Sequence, residues 1–198
     1  MVKIEYLATQ EIVHSDKVNL LILVDEGRTR QLVVITDRPT AISISAMYSA
    51  KGNRMAYEQF VKRSALYVMM SVVPEALRRL MHIRIDALMH GQYRAMLVRK
   101  DTLGEPPMEL RTPEAVLLSV VSGIPMYIDD HLWRTQSTVF NPLATGTSIP
   151  TNTLPLEMLQ EALQSAIDSE DYEAAKKIND EINNRFPGAN KKGNQTTL

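Results

Sequence analysis

An arginine and a glutamate three residues apart, Arg111 and Glu114, open an apolar run, and two further acids, Asp129 and Asp130, close the segment that follows. These residue types can hold a divalent cation and a phosphate. Carboxylate oxygens suit Mg2+ or Mn2+, and a guanidinium pairs with phosphate through two N–H groups. A second group lies upstream. Between Arg78 and Lys100 there are six basic residues (Arg78, Arg79, Arg84, Arg94, Arg99, Lys100) against one acid, Asp86. Such a cluster can hold phosphates, and it can equally be a solvated sheet face with local ion pairs. Glu114 has an ordinary reading too, since negative charge is favoured near a helix N-terminus. Asp129 and Asp130 can simply end a strand, and His82 and His90 read as structural or as a general base. There is no HExxH, P-loop or dinucleotide-binding glycine pattern.

The elements that must position these residues read as strand, helix, strand over Leu110 to Asp130. Pro113 suits the first helical turn and pushes Thr112 into the extended conformation of an N-cap. Ala115 to Val121 is apolar almost all round, which predicts a helix buried on most sides. Gly123 should end it in the left-handed conformation, and Pro125 prevents continuation. Met126 to Ile128 then reads as a short buried strand. Upstream, Val2, Ile4 and Tyr6 alternate with Lys3 and Glu5, the period of a half-buried strand. Val18 to Val24 is apolar on both faces apart from Asn19, so it belongs inside a sheet. Gln31 to Thr36 returns as a third strand after Asp25-Glu26-Gly27. Helices are expected from Pro39, from about Met55 to Val72 with Phe60 facing the core, and from Pro74. Met81 to Ala87 and Tyr93 to Lys100 form a hairpin around His90-Gly91. Strands followed by helices indicate an α+β fold with a mixed or antiparallel sheet.

The stretch Arg111-Thr112-Pro113-Glu114-Ala115, the apolar helix, Gly123, Pro125 and the Tyr127-Ile128 strand resemble the signature of the bifunctional nuclease family. In that family the opening usually reads Arg-Pro/Thr-Ser-Asp-Ala. Here Arg111 and Ala115 match, Glu114 stands in place of Asp and Pro113 in place of Ser. The resemblance extends weakly over residues 2–134. It implies phosphodiester hydrolysis, with Arg111 as phosphate contact and Glu114, Asp129 and Asp130 as the acids, the last two able to hold Mg2+ or Mn2+. The chain departs from the family elsewhere. Where members carry Arg-Pro-Leu-Thr-His-Asp it has Arg54 to Gln59, so the Arg alone survives. It also has Thr36 and Pro39-Thr40 where members carry Gly and Glu-Ala. These departures leave a second class open, a catalytically inactive adaptor or binding protein that keeps the fold and acts in a DNA-repair or stress-response complex.

Residues 135–156 contain no charged residue and are rich in Ser, Thr, Asn, Pro and Gly, which reads as a linker over 135–154, within which Val139-Phe140 and Leu143 can dock on the main domain. Beyond it, Leu159, Leu163 and Ile167 share one helical face, and Tyr172, Ala175, Ile178 and Ile182 share another. With Glu170-Asp171-Tyr172-Glu173-Ala174-Ala175 at the turn, residues 155–187 resemble a UVR domain, a small antiparallel helical hairpin. That resemblance implies a protein-binding seam of Leu159, Leu163, Tyr172, Ile178 and Ile182. Two short helices bury too little to stand alone, so the seam should meet its own copy, as a homo-oligomer, or another protein. The tail from 188 reads as disordered.

Composition sets the outer limits. The chain has 198 residues, 44% of them hydrophobic, enough for one medium core and a small second unit. Net charge is −1, but residues 1–134 carry 17 basic and 15 acidic side chains while 135–198 carry 5 and 8. No stretch is long and apolar enough to suggest a membrane span, and the N-terminus enters directly into an alternating strand, which reads as no signal peptide. The absence of cysteine excludes disulfides and thiolate metal sites and fits a cytoplasmic protein.

Overall fold

A computed structural model describes residues 1–12, 15–100, 106–143 and 147–187. The chain divides into two compact units, Met1–Thr147 and Ser148–Leu198. The fold is α+β. The larger unit holds an eight-stranded mixed sheet made of β1 (Val2–Ile12), β2 (Ser15–Asp25), β3 (Arg30–Asp37), β4 (Met81–Met89), β5 (Gln92–Arg99), β6 (Met108–Arg111), β7 (Met126–Ile128) and β8 (Thr138–Val139). Their order across the sheet is β6-β5-β4-β7-β1-β2-β3-β8. Neighbours are antiparallel except β4 and β7, where Ile83 to Ile85 run parallel to Met126 to Ile128. Leu20 to Val24 of β2 are all buried between β1 and β3, as the two-faced apolar pattern requires.

The β4–β5 hairpin closes through His90 and Gly91, both at positive φ (51° and 80°), in a two-residue loop between paired Met89 and Gln92. Two positive φ values match the right-handed twist of the flanking strands. From β6 the chain crosses β5 and β4 through α5 (Thr112–Ser122) and inserts β7 beside β4. This crossover makes α5 the centre of the core. Its Ala115, Val116, Leu118 and Val120 pack with Ile83, Ile85, Tyr93 and Ala95 of the sheet and with Ala41 and Ile44 of α1 (Arg38–Ala50). Gly123 ends α5 at φ 75°, its N–H closing on the Ser119 carbonyl.

Several sequence expectations need correction. Thr112 is not the N-cap of α5. Arg111 occupies that position with extended backbone, and the buried Thr112 hydroxyl donates instead to the Tyr93 carbonyl at 2.5 Å. The helix read over Met55 to Val72 is broken into three. A short α2 (Arg54–Ala56) passes into a π-helical turn, Tyr57–Val61, and α3 (Ala65–Ser71) begins afresh with Ser64 accepting from the Tyr67 N–H. The wider π turn alters the helical phase, so Val61 is buried and Phe60 is 59% exposed. The short α4 (Glu75–Arg79) follows Pro74 as read.

The uncharged stretch 135–154 docks in part, as expected at Val139-Phe140, whereas Leu143 is exposed. Strand β8 extends the sheet at β3, and Arg30 donates to the Ser137 hydroxyl at 2.7 Å and the Ser137 carbonyl at 2.6 Å. The unit boundary therefore falls after Thr147. In the smaller unit a 3-10 turn, Thr151–Thr153, precedes α7 (Leu156–Asp168) and α8 (Tyr172–Arg185), and Arg185 donates to the Asn152 and Leu154 carbonyls. These two helices are the expected antiparallel hairpin, with Leu159 and Ile182 fully buried. The tail read as disordered lies outside the described residues. Among the described residues, no helix is long and apolar enough to cross a membrane.

Candidate functional site

Register assembles the larger unit's polar site. On β5, Arg94 lies directly opposite Arg111 on β6, so two guanidinium side chains leave adjacent strands at the same level. Like charges directly opposed destabilise a sheet unless each is compensated. Arg94 Nε donates to Asp86 Oδ1 at 2.8 Å, and Arg84 reaches the other oxygen of the same carboxylate at 3.2 Å. Asp86 sits where β4 bulges, between the residues paired at Ile85 and Ala87. Burial alone would raise its carboxyl, but the Arg94 and Arg84 contacts outweigh it and hold the group below its ordinary value. Arg111 is compensated from its own helix. Its Nε donates to Glu114 Oε1 at 3.1 Å, and a second guanidinium nitrogen bonds the same oxygen. The Glu114 carboxylate first, and Asp37 more weakly, hold Arg111 still more firmly protonated. A cleft of about 370 Å³ opens beside the two arginines, lined also by Gln92, Tyr93, Glu109 and Leu110.

The basic residues between Arg78 and Lys100 do not form one patch. Arg78 and Arg79 end α4, before β4 begins, whereas Arg94 and Arg111 stand level with Ala87, roughly 20 Å along the strand at ~3.3 Å per residue. Arg79 is paired with Glu75 at 2.6 Å. Arg78 has no ion pair among the described residues and lines a separate cleft of about 450 Å³ with Glu75 and Ser122 to Pro125. Arg84 lies between the two ends.

The acids flanking α5 are also dispersed. Because β6 and β7 run parallel, Arg111 and Asp129 leave the sheet at the same end, but β5 and β4 lie between them. Three inter-strand steps of ~4.8 Å set the two strand ends roughly 14 Å apart. Each acid has its own local task. Asp129 accepts from the His131 N–H at 2.9 Å and so caps α6 (Asp130–Gln136), a helix that the sequence reading did not foresee. Asp130 accepts from the Met1 amino group at 2.6 Å. Among the described residues no three His, Asp or Glu side chains are gathered as a metal's donor set would be. As placed, Glu114, Asp129 and Asp130 do not fit a shared Mg2+ or Mn2+.

His82 meets the Tyr127 ring edge-on at 5.9 Å, and its Nδ1 is buried without a partner. Burial first, then Lys100 and Arg84, push its pKa below the ordinary imidazole value, so it is neutral at neutral pH. A neutral ring adds no charge to the arginine pair.

In the hairpin, Leu159, Ala175 and Ile182 are buried and Leu163 and Ile178 half-buried. Of the five residues expected to bind a partner, Tyr172 alone is exposed, while Leu159 and Ile182 are wholly covered within the chain. As the first residue of α8, after the Asp171 cap, Tyr172 points outward and is 70% exposed. Asp37 caps α1, as the sequence allows for it or Thr36, whereas Gln92 and Glu109 carried no expected role. Asp86 carried the one available signal, as the single acid in a basic stretch.

Comparison with models of known protein families finds no match, and no curated protein matches the chain either.

Proposed function

We propose that the larger unit is a cytoplasmic nuclease domain that grips the phosphodiester backbone of DNA or RNA at Arg94 and Arg111, and that the UVR-like hairpin recruits it to its own copy or to another protein. The observation that carries this reading is the register that sets Arg94 opposite Arg111 beside an open cleft. Two guanidinium groups one strand apart suit the successive charges of a nucleic-acid backbone. The Arg111–Glu114 pair then supplies a chemical sequence. A phosphate oxygen takes over the N–H groups of Arg111, which releases the Glu114 carboxylate to accept a proton from an attacking water. The water oxygen bonds to phosphorus as the P–O bond to the leaving sugar oxygen breaks, that oxygen takes a proton from solvent, and Arg111 stays on the phosphate as negative charge develops there. The dispersed carboxylates give no basis for routing a step through a metal.

The adaptor reading has its own support. Asp86, Asp129, Asp130 and Glu114 are all engaged by partners within the chain, which is what a domain that binds without cleaving would keep. Two measurements decide between them. Arg111→Ala and Glu114→Gln should each lower turnover of a labelled oligonucleotide by at least about tenfold, or ~1.4 kcal/mol of barrier. Arg94→Gln should weaken binding to any sequence and make the slope of affinity against salt shallower by about one contact. Binding that persists without hydrolysis establishes the adaptor. A protein with no salt-sensitive binding to DNA or RNA at low ionic strength removes the nuclease reading and leaves the adaptor.

A further inference from the structure

The helical layer of the larger unit leaves much apolar side chain uncovered. Met55, Phe60, Val68, Met69 and Val72 are all exposed, Met55 at 71% and Val72 at 78%. Val68, Met69 and Val72 share a face of α3 and its C-cap at spacing i, i+1, i+4. The charge around them is nearly of one sign. Arg54, Lys62 and Arg63 are exposed, and Glu58 is the one acid between residues 51 and 74. Lys62 already pairs with Glu58, while Arg54 and Arg63 have no ion pair among the described residues.

The smaller unit presents the opposite surface. The turn joining α7 to α8 exposes Ile167 and Tyr172 among Asp168, Glu170, Asp171 and Glu173, and no basic residue occurs from 156 to 175. Glu170 stands at φ 58° at the tip of this turn, with no ion pair among the described residues, while Glu173 pairs with Lys177 at 2.8 Å. One set of exposed residues is apolar and mostly basic, and the other is apolar and mostly acidic.

We infer that the acidic hairpin turn of one copy docks on the basic apolar helical surface of a second copy, reciprocally, in a two-fold dimer. The inference takes up the self-association half of the hairpin's proposed role and gives it a surface. It is independent of whether the larger unit cleaves nucleic acid. Tyr172 and Ile167 leave water against Met55, Phe60 and the α3 face, while Glu170 and its neighbours meet Arg54 and Arg63. Each chain supplies both halves of the contact, and a closed two-fold arrangement uses both at once. A stable interface of standard size takes about 800 Å² from each partner, and a reciprocal arrangement draws on both surfaces of each copy to reach it. The opposed charges also exclude the alternative pairings, turn on turn and helical layer on helical layer.

The test is charge exchange in the full chain, read by light scattering at low and high salt with circular dichroism as the fold control. Wild type should be a dimer that weakens as salt rises. Arg54→Glu with Arg63→Glu, and separately Glu170→Lys with Glu173→Lys, should each give monomers. Mixing the two variants, or placing all four substitutions in one chain, should restore the dimer, because both contacts then regain opposite signs. Phe60→Ser and Tyr172→Ala, which leave the charges alone, should also dissociate it and serve if a reversed variant misfolds. A monomeric wild type overturns self-association itself and leaves these surfaces to another protein or an anionic lipid surface. A dimer that survives both reversals, or that charge exchange does not restore, overturns this surface while leaving self-association standing.

Discussion

Asp86 holds two arginines at once, and its removal tests how the site is built. Its side chain is 15% exposed and its carboxyl is held below the ordinary value despite burial. A depressed carboxyl contributes stability that is present above the unfolded-state value near ~3.9 and disappears as pH falls through the folded-state value. Asp86→Asn should therefore melt lower than wild type at pH 6–7, with the gap closing towards pH 3. A gap independent of pH would mean that packing, not charge, is the role of Asp86. Arg111 and Glu114 were legible from their spacing, since residues three apart at a helix start are neighbours. The opposition of Arg94 and Arg111 was not legible, because the register of the short β6 against β5 is a pairing between separate stretches of chain that no local pattern announces.

At the scale of elements, α5 was the most legible part of the chain, since its breaker residues agree with its apolar run. Gly123 stands at φ 75°, and a Cβ there would meet nothing within 4 Å, so the cost of a side chain is one of backbone conformation alone. Gly123→Ala should cost roughly 1–2 kcal/mol, a drop of about 2–8 °C in melting temperature by calorimetry. Gly52→Ala, at a glycine without positive φ, should leave the midpoint nearly unchanged. Equal midpoints for the two variants would refute the assignment of Gly123 as a left-handed cap. The break in the second helical stretch was less legible. Residues 54–72 contain no glycine or proline to announce a break, and the π turn at Tyr57–Val61 answers to packing of Val61 with Ala50 and Val121, contacts distant in sequence. Helix α6 was hidden because Asp129-Asp130 reads as charge at a strand end, whereas the Asp129 side chain is a cap.

The division of the whole chain was half legible: composition located the hairpin but misplaced the boundary. Absence of charge over 135–156 suggested a linker, yet Ser, Thr and Val also suit an edge strand, and Arg30 on β3 supplies a cation that the stretch itself lacks. A chain ending at Thr147 keeps β8 and both Arg30 bonds to Ser137. A chain ending at Arg134 loses them, together with Ser137, whose N–H and hydroxyl both donate to the Trp133 carbonyl at the end of α6. Hydrogen bonds of this kind contribute about 0.5–1.5 kcal/mol each, more where a charge is involved. The shorter chain should therefore be less stable by roughly 2–4 kcal/mol, enough to lower the melting midpoint by about 5–10 °C. The chain's one tryptophan, Trp133, is buried at this junction, so its fluorescence reports the loss directly. Identical urea midpoints for the two truncated chains would show that β8 is a passive extension and return the boundary to residue 134. A lower midpoint with an unchanged urea slope would place residues 135–147 within the cooperative unit of the sheet.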